Sequence, residues 1–228
     1  MADLAPDILY IDNHLLVLNK PAGMPSQPDE TGDQDILSWG KAYLKCTFDK
    51  PGNVFLGLVH RLDRPASGVT VFARTSKAAG RLSDQFRKRT VSKKYLAIVE
   101  ENPPKEGRWT DYIVKRGREP RIVDAEIKGA QEARLSFRRE RSVEDLTLVD
   151  INLETGRPHQ IRLQFARRGF PLVGDVRYGS KRVLDGRNLA LHCYRLEIEH
   201  PTLREFVSWS ALPPATWPQE FRSWVCDM

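Results

Sequence analysis

Three segments with strand character lie between residues 92 and 154: SKKYLAIVE (92–100), ARLSFRRE (133–140) and DLTLVDINLE (145–154). Their β-branched or alternating apolar residues suit a pleated surface, and no helical pattern separates them. Strands that succeed one another without crossover helices pair antiparallel, since a parallel pair needs a connection of a dozen residues or more. The remaining segments fit around such a sheet. Ile8–Ile11 and Leu15–Leu18 flank Asp12-Asn13-His14 as a hairpin, VFLGLV (54–59) and VTVFA (69–73) are strands, and LALHCYRLEIEHP and REFVSWSA form a late strand pair. Helices are predicted from Asp35 to Cys46, weakened by Gly40, and from Ser76 to Arg89, with Ala79, Leu82 and Phe86 on one face. RPHQIRLQFARRG predicts a short helix with Pro158 in its first turn and Gly169 past its end, and Trp217, Phe221, Trp224 and Val225 share a face of a terminal helix. The order describes an α+β fold, a mixed, largely antiparallel central sheet with flanking helices.

A chain of 228 residues suits one domain, taken here as 1–228. Lysine and arginine number 36 against 30 acidic residues, a net charge of +6 that favours an anionic partner. Cys46, Cys193 and Cys226 stand far apart without a CxxC pair, as expected of reduced thiols and not of a zinc knuckle. No secretory leader and no run of about 18 apolar residues is present, so a cytoplasmic protein with no membrane contact is expected.

The chemistry concentrates in three clusters. GLVHRLDRPASGV (57–69) sets His60, Arg61, Asp63 and Arg64 between two apolar strands, either as a capped turn with surface arginines or as a carboxylate kept ionised between positive charges. SKKYLAIVE places Lys94 and Tyr95 at the start of a strand, and TGRPHQIRLQFA gathers Arg157, His159, Gln160 and Arg162 around a helix start. Asp29, Glu30, Asp33 and Asp35 lack the ordered spacing of a calcium loop and read as a solvated acidic loop, so no metal site is predicted. His60, Asp63 and Ser67 hold the residue types of a hydrolase triad on one short turn without a nucleophile elbow.

HRLDRPASG, KKYLAIV, TGRPHQIRLQFA and GFPLVGDVRYG, in this order, resemble the conserved blocks of the RluA-type pseudouridine synthases, and NKPAGMPSQP resembles that family's lysine-proline motif. The blocks extend from about Ile8 to Ala211. The resemblance implies the pseudouridine synthase catalytic fold with an RNA-binding cleft. It further implies Asp63 as the catalytic aspartate, Tyr95 as the tyrosine beneath the target base, Arg162 as the ion-pair partner of Asp63, and Arg61 as an arginine that helps to push the target nucleotide from its stack. Three positions depart from the pattern: Ala66 where threonine is common, Pro158 where a polar residue precedes His-Gln, and Gln164 where many members have histidine. Seven residues precede the first predicted strand, so the accessory N-terminal RNA-binding domain of many relatives is expected to be absent.

The implied reaction isomerises specific uridines in structured RNA, ribosomal or transfer, to pseudouridine. It breaks the bond from ribose to ring nitrogen, turns the uracil and joins the sugar to a ring carbon, with no net redox change and no expected cofactor. Asp63 either attacks the anomeric carbon or takes the neighbouring ribose proton, leaving a glycal. Flipping the nucleotide costs a few kcal/mol. Phosphate contacts from Arg61, Arg64, Lys77, Arg81, Arg87, Lys88, Arg89, Lys93, Lys94, Arg157, His159 and Gln160 are expected to offset it. A monomer is expected. The alternative is a non-catalytic RNA-binding or ribosome-assembly protein that keeps the fold.

Overall fold

The computed structural model describes residues 5–117 and 119–226. They form two compact units, one running up to Val91 and including Tyr194–Ala211, the other comprising Ser92–Cys193 and the segment from Leu212 onward. The architecture is α+β in both.

In the first unit β1 (Asp7–Ile11) and β2 (Leu15–Lys20) form the predicted hairpin. The Asp12 side chain closes its turn by accepting from the amides of His14 at 2.7 Å and Leu15 at 2.6 Å. β2 pairs antiparallel with β4 (Ser67–Ala73), from Leu15 opposite Ala73 to Lys20 opposite Gly68. Both strands are continuous apolar runs because both their faces are covered. Leu15, Val17, Val69 and Val71 pack with Ala78 and Leu82 of α2 (Ser76–Lys88), while Leu16, Leu18 and Phe72 pack with Ile36 and Leu44 of α1 (Ile36–Thr47). Fully burying such a side chain contributes about 1.5–3 kcal/mol.

Asp35 and Thr75 cap the two helices through the amides of Ser38 and Ala78, and α2 ends with Arg89 in the left-handed region. Gly40 marks a close approach and not a helix break, since a Cβ there would meet Leu56 at 2.8 Å. The expected strand at 54–59 shrinks to β3 (Gly57–Leu58), against which α2 lies so closely that a Cβ on Gly57 would meet Ala79 at 3.0 Å. β10 (Leu191–Glu199) enters this unit at Tyr194 and pairs antiparallel with β11 (Phe206–Ser210).

The second unit is built on antiparallel ladders in the order β5-β9-β8-β6-β7. β5 (Ser92–Glu100), β8 (Gln131–Val143) and β9 (Leu146–Leu153) match the sequence reading, whereas β6 (Glu106–Arg116) and β7 (Glu119–Val123) were not among the predicted strands. Tyr95 and Phe137 both lie opposite Ile151, so they share one face of this sheet. α3 (Gln160–Arg167) covers that face: its Phe165 ring lies 4.7 Å from Trp109 and 5.3 Å from Phe137, and Leu163 packs with Ile113 and Ala133. α3 starts later than expected, because His159, with a φ of 52°, is its N-cap and Pro158 lies in the preceding turn. α4 (Gln219–Cys226) follows the buried Trp217 and buries Phe221 and Val225. The Trp224 and Cys226 side chains, named in the sequence reading, lie outside the described residues.

Candidate active site

Asp63 sits half-buried on the loop between β3 and β4 of the first unit, and this loop is clasped by the segment after β2. Ser26 Oγ donates to the Leu62 carbonyl at 2.7 Å and accepts from its amide at 3.2 Å. The Gly23 amide donates to the Arg64 carbonyl at 2.8 Å, and Arg64 Nε donates back to the Gly23 carbonyl at 3.0 Å. Beneath lies Lys20, fully buried, whose Nζ donates to the carbonyls of Pro21 at 2.9 Å, Met24 at 2.8 Å and Arg64 at 3.2 Å. Burial pushes the Lys20 ammonium down to about 7, the Asp63 carboxylate pulls it up, and Arg64 pushes it down further. NKPAG was read only as a family motif; the structure shows what its lysine does, which is to brace the Asp63 loop from below.

His60 is turned into the unit, accepting from the Val71 amide at 3.0 Å through Nε2 and stacking on Phe86 at 4.7 Å, so that ring nitrogen serves the main chain of the strand. The acidic loop holds Arg64: Thr31 accepts from Nη1 at 3.0 Å, Asp29 lies 3.5 Å from it, and Asp33 pairs with Nη2. Among the described residues no three His, Cys, Asp or Glu side chains cluster as a metal site.

In the second unit Tyr95 is 6% exposed on β5, and its hydroxyl hydrogen-bonds the fully buried Cys193 thiol, which burial pushes up to about 12. Arg162 is buried on the first turn of α3, and one edge of its guanidinium makes a bidentate pair with Asp175: Nε to Oδ2 at 2.7 Å and Nη2 to Oδ1 at 2.8 Å. The Tyr178 ring lies 4.9 Å from its Cζ. Asp175 and Tyr178 belong to GFPLVGDVRYG, yet no role was read into either. A lone Asp and Tyr in a turn carry no periodic signal, and only the fold brings them to the helix.

The expected RNA contacts divide sharply. Arg61, Lys77, Arg87, Lys88 and Arg89 are exposed, with Arg87 paired to Asp84 at 2.7 Å. Lys93 and Lys94 are half-buried on β5, and Lys94 lines a groove with Arg108, Arg138 and Asp150. Arg81 instead donates to the Pro201 carbonyl at 2.5 Å, and Arg157 Nε to the Glu132 carbonyl at 2.9 Å. His159 Nδ1 lies 2.8 Å from the Tyr178 hydroxyl. Gln160 is turned inward. It is buried, with Oε1 accepting from Thr155 at 2.7 Å and the Arg157 amide at 3.0 Å and Nε2 donating to the Arg134 carbonyl at 3.0 Å, so it organises the helix start from within. Gln164, one of the departures from the family pattern, is likewise buried and donates to Asp111 at 2.7 Å.

The sequence profile of RNA pseudouridylate synthases matches residues 14–167. The chain is 36% identical over 211 residues to the uncharacterized RNA pseudouridine synthase YhcT of Bacillus subtilis, an alignment spanning 92% of this chain and 69% of that protein. It is 32% identical to the ribosomal large subunit pseudouridine synthase D of Nitrosomonas europaea over 91% of this chain and 62% of that one. Among solved structures, human RNA pseudouridylate synthase domain containing 4 matches with a TM-score of 0.76 at 27% identity, covering 91% of this chain and 88% of its own. Human RNA pseudouridylate synthase domain containing 1 shares the fold, with a TM-score of 0.70 at 23% identity over 95% and 86% of the two chains. The chain belongs to the RNA pseudouridylate synthase family, isomerases whose partner is RNA. No helix among its described residues is long and apolar enough to cross a membrane.

Proposed function

We propose that this chain isomerises specific uridines of ribosomal or transfer RNA to pseudouridine, with Asp63 as the catalytic carboxylate, Tyr95 against the flipped base and Arg162 as the partner of Asp63. The observation that carries the reading is the family match over residues 14–167, which encloses all three residues and both loops that clasp Asp63. The relative from Nitrosomonas europaea, which by name acts on the ribosomal large subunit, supports ribosomal RNA as the first substrate to test.

The reaction asks for a fixed carboxylate, and the setting of Asp63 suits that task. Its loop is anchored on both sides by main-chain bonds, and a buried ammonium lies where its charge is felt by the carboxylate. Asp63 then attacks the anomeric carbon or removes the adjacent ribose proton, the bond from sugar to ring nitrogen breaks, and the freed uracil turns. The sugar joins the ring carbon as its bond to Asp63 breaks or, on the glycal route, as Asp63 returns the ribose proton; the ring carbon's hydrogen leaves as a proton while the ring nitrogen gains one, so atoms and electrons balance without a co-reactant. Tyr95 offers a ring for stacking and a hydroxyl for the last proton transfer.

The test is tritium release from RNA labelled at the uracil carbon that loses its hydrogen. Wild-type protein is expected to release label without added cofactor, and Asp63→Asn, which keeps the shape and loses the basic carboxylate, is expected to bind RNA and release none. Turnover by Asp63→Asn would remove Asp63 from the catalytic role, and no release by wild type on any RNA would leave an RNA-binding protein.

A further inference from the structure

Arg162 is fixed by a ring of contacts from Asp175, Tyr178 and His159. Asp175 presents both carboxylate oxygens to its Nε and Nη2 edge, and the carboxylate and guanidinium side chains are 1% and 6% exposed. Asp175 is itself held by the main chain: its amide donates to the Leu172 carbonyl at 2.9 Å, and its carbonyl accepts from the amides of Tyr178 at 3.0 Å and Ser180 at 3.1 Å. Gly174 precedes it at a φ of 86°, and a Cβ there would stand 2.3 Å from the Asn188 carbonyl oxygen, so the turn admits only glycine. Tyr178 lays its ring against the guanidinium, and its hydroxyl meets Nδ1 of His159, the N-cap of the helix that carries Arg162. The left-handed backbone of His159, uncommon for a residue with a side chain, completes the circuit from helix to turn and back.

Taking two charges out of water is costly, and a well-packed apolar pair would serve stability as well or better. What the ion pair adds is direction. A side-on fork fixes the guanidinium plane, and the Tyr178 ring fixes which way that plane faces, so the remaining N–H bonds are aimed before any substrate arrives.

We propose that Asp175 is a positioning residue for the isomerisation, orienting Arg162 through this fork, with Tyr178 and His159 holding the guanidinium in plane. The inference rests on Arg162 as the partner of a catalytic Asp63. Asp175 is too deeply buried to touch RNA, so its removal acts on the chemical step and leaves RNA binding alone.

Asp175→Asn, Tyr178→Phe and Asp63→Asn are to be compared with wild type in single-turnover and steady-state tritium release, with circular dichroism to establish folding and NMR of the arginine Nε–H groups to report on the fork. Asp175→Asn is expected to lose the protected Arg162 Nε–H signal and to lower kcat about 100-fold with KM changed less than about twofold, since a displacement of about 1 Å in a positioned group has an effect of that size. Tyr178→Phe keeps the ring and loses the hydroxyl that meets His159, so its kcat is expected to fall by about three- to tenfold at unchanged KM. A folded Asp175→Asn with wild-type kcat, or with raised KM at unchanged kcat, overturns the proposal. If Asp175→Asn fails to fold, Tyr178→Phe decides, and a wild-type kcat there overturns it. Activity in Asp63→Asn sinks the catalytic reading itself, a result distinct from either.

Discussion

Among the described residues two cations are buried, Lys20 in the first unit and Arg162 in the second, and they are accommodated in opposite ways. The Lys20 ammonium donates to three main-chain carbonyls, as many acceptors as it has N–H bonds. Arg162 instead meets a buried carboxylate along one whole edge of its guanidinium. Carbonyl dipoles satisfy hydrogen bonds without cancelling charge, so Lys20 is left with a depressed pKa and a charge that depends on pH. The carboxylate of Asp175 cancels the charge as well. Lys20 is thus a brace that responds to its surroundings, and Arg162 is held rigidly by a buried carboxylate.

The contrast breaks most readily at Arg162. Arg162→Met leaves Asp175 as an unpaired buried charge and is expected to cost about 3–5 kcal/mol, a large share of the stability of a domain this size. Adding Asp175→Asn should recover part of that loss, because the orphaned charge is then gone. Urea unfolding of wild type, both single variants and the double variant at neutral pH measures the coupling, and strict additivity would show that the two side chains do not form an energetic unit. The double variant is not expected to recover catalysis.

Lys20 sharpens the comparison through pH. Its folded pKa of about 7 lies below the ordinary 10.5, so between these values the unfolded chain binds the extra proton. Stability from this group therefore rises with pH from about 7 upward, and its burial penalty is felt in full below 7. Cys193 works the other way, but only above its ordinary value of 9.0, since burial raises the thiol to about 12 and folded protein then retains the proton. The window from about 7 to 9 separates Lys20 from Cys193. Unfolding free energy should climb across it in wild type and run flatter in Lys20→Met; parallel profiles would show that Lys20 keeps one charge state throughout.

Much of the first unit was legible because its elements announce themselves locally. The Asp12 turn, the apolar face of α2 and the apolar runs of β2 and β4 all lie within a few residues of the structure they specify. The second unit was less so. β6 carries Arg108 and Asp111 beside Trp109 and Ile113, and its pattern becomes strand-like only once β8 stands next to it. In α3 the residues Gln160, Arg162 and Gln164 are polar, yet all three are buried with partners from distant strands and turns. A sequence shows that a side chain is polar; whether water or protein satisfies it is decided by tertiary structure. For the same reason Asp63, Tyr95 and Arg162 were identified from motif blocks, whereas Lys20 and Asp175 acquired roles only from their contacts.

The smallest effects are expected on α2, where cations of one helix separate into a structural one and solvated ones. Lys77, Arg87 and Lys88 are exposed, and the single ion pair among them, Arg87 with Asp84, is a surface pair of the kind worth little. Replacing all three by alanine removes two favourable charges from the last turn, Arg87 and Lys88, and one unfavourable charge from the first, Lys77; with the better helix propensity of alanine, stability should stay within about 0.5 kcal/mol of wild type. RNA binding should respond instead. If the three side chains each neutralise one phosphate of a single-stranded segment, the slope of log affinity against log salt becomes shallower by about 0.7 for each, or roughly 2 in all. Arg81 should do the reverse. Its bond to the Pro201 carbonyl ties α2 to the turn after β10, so Arg81→Ala should cost about 1 kcal/mol in unfolding free energy and leave the salt slope where it was. Fluorescence titrations of RNA at several salt concentrations, run beside urea unfolding, place each variant on both axes. A shallower slope for Arg81→Ala, or an unchanged slope for the triple variant, would mean that exposure on this helix does not sort its RNA contacts from its structural ones.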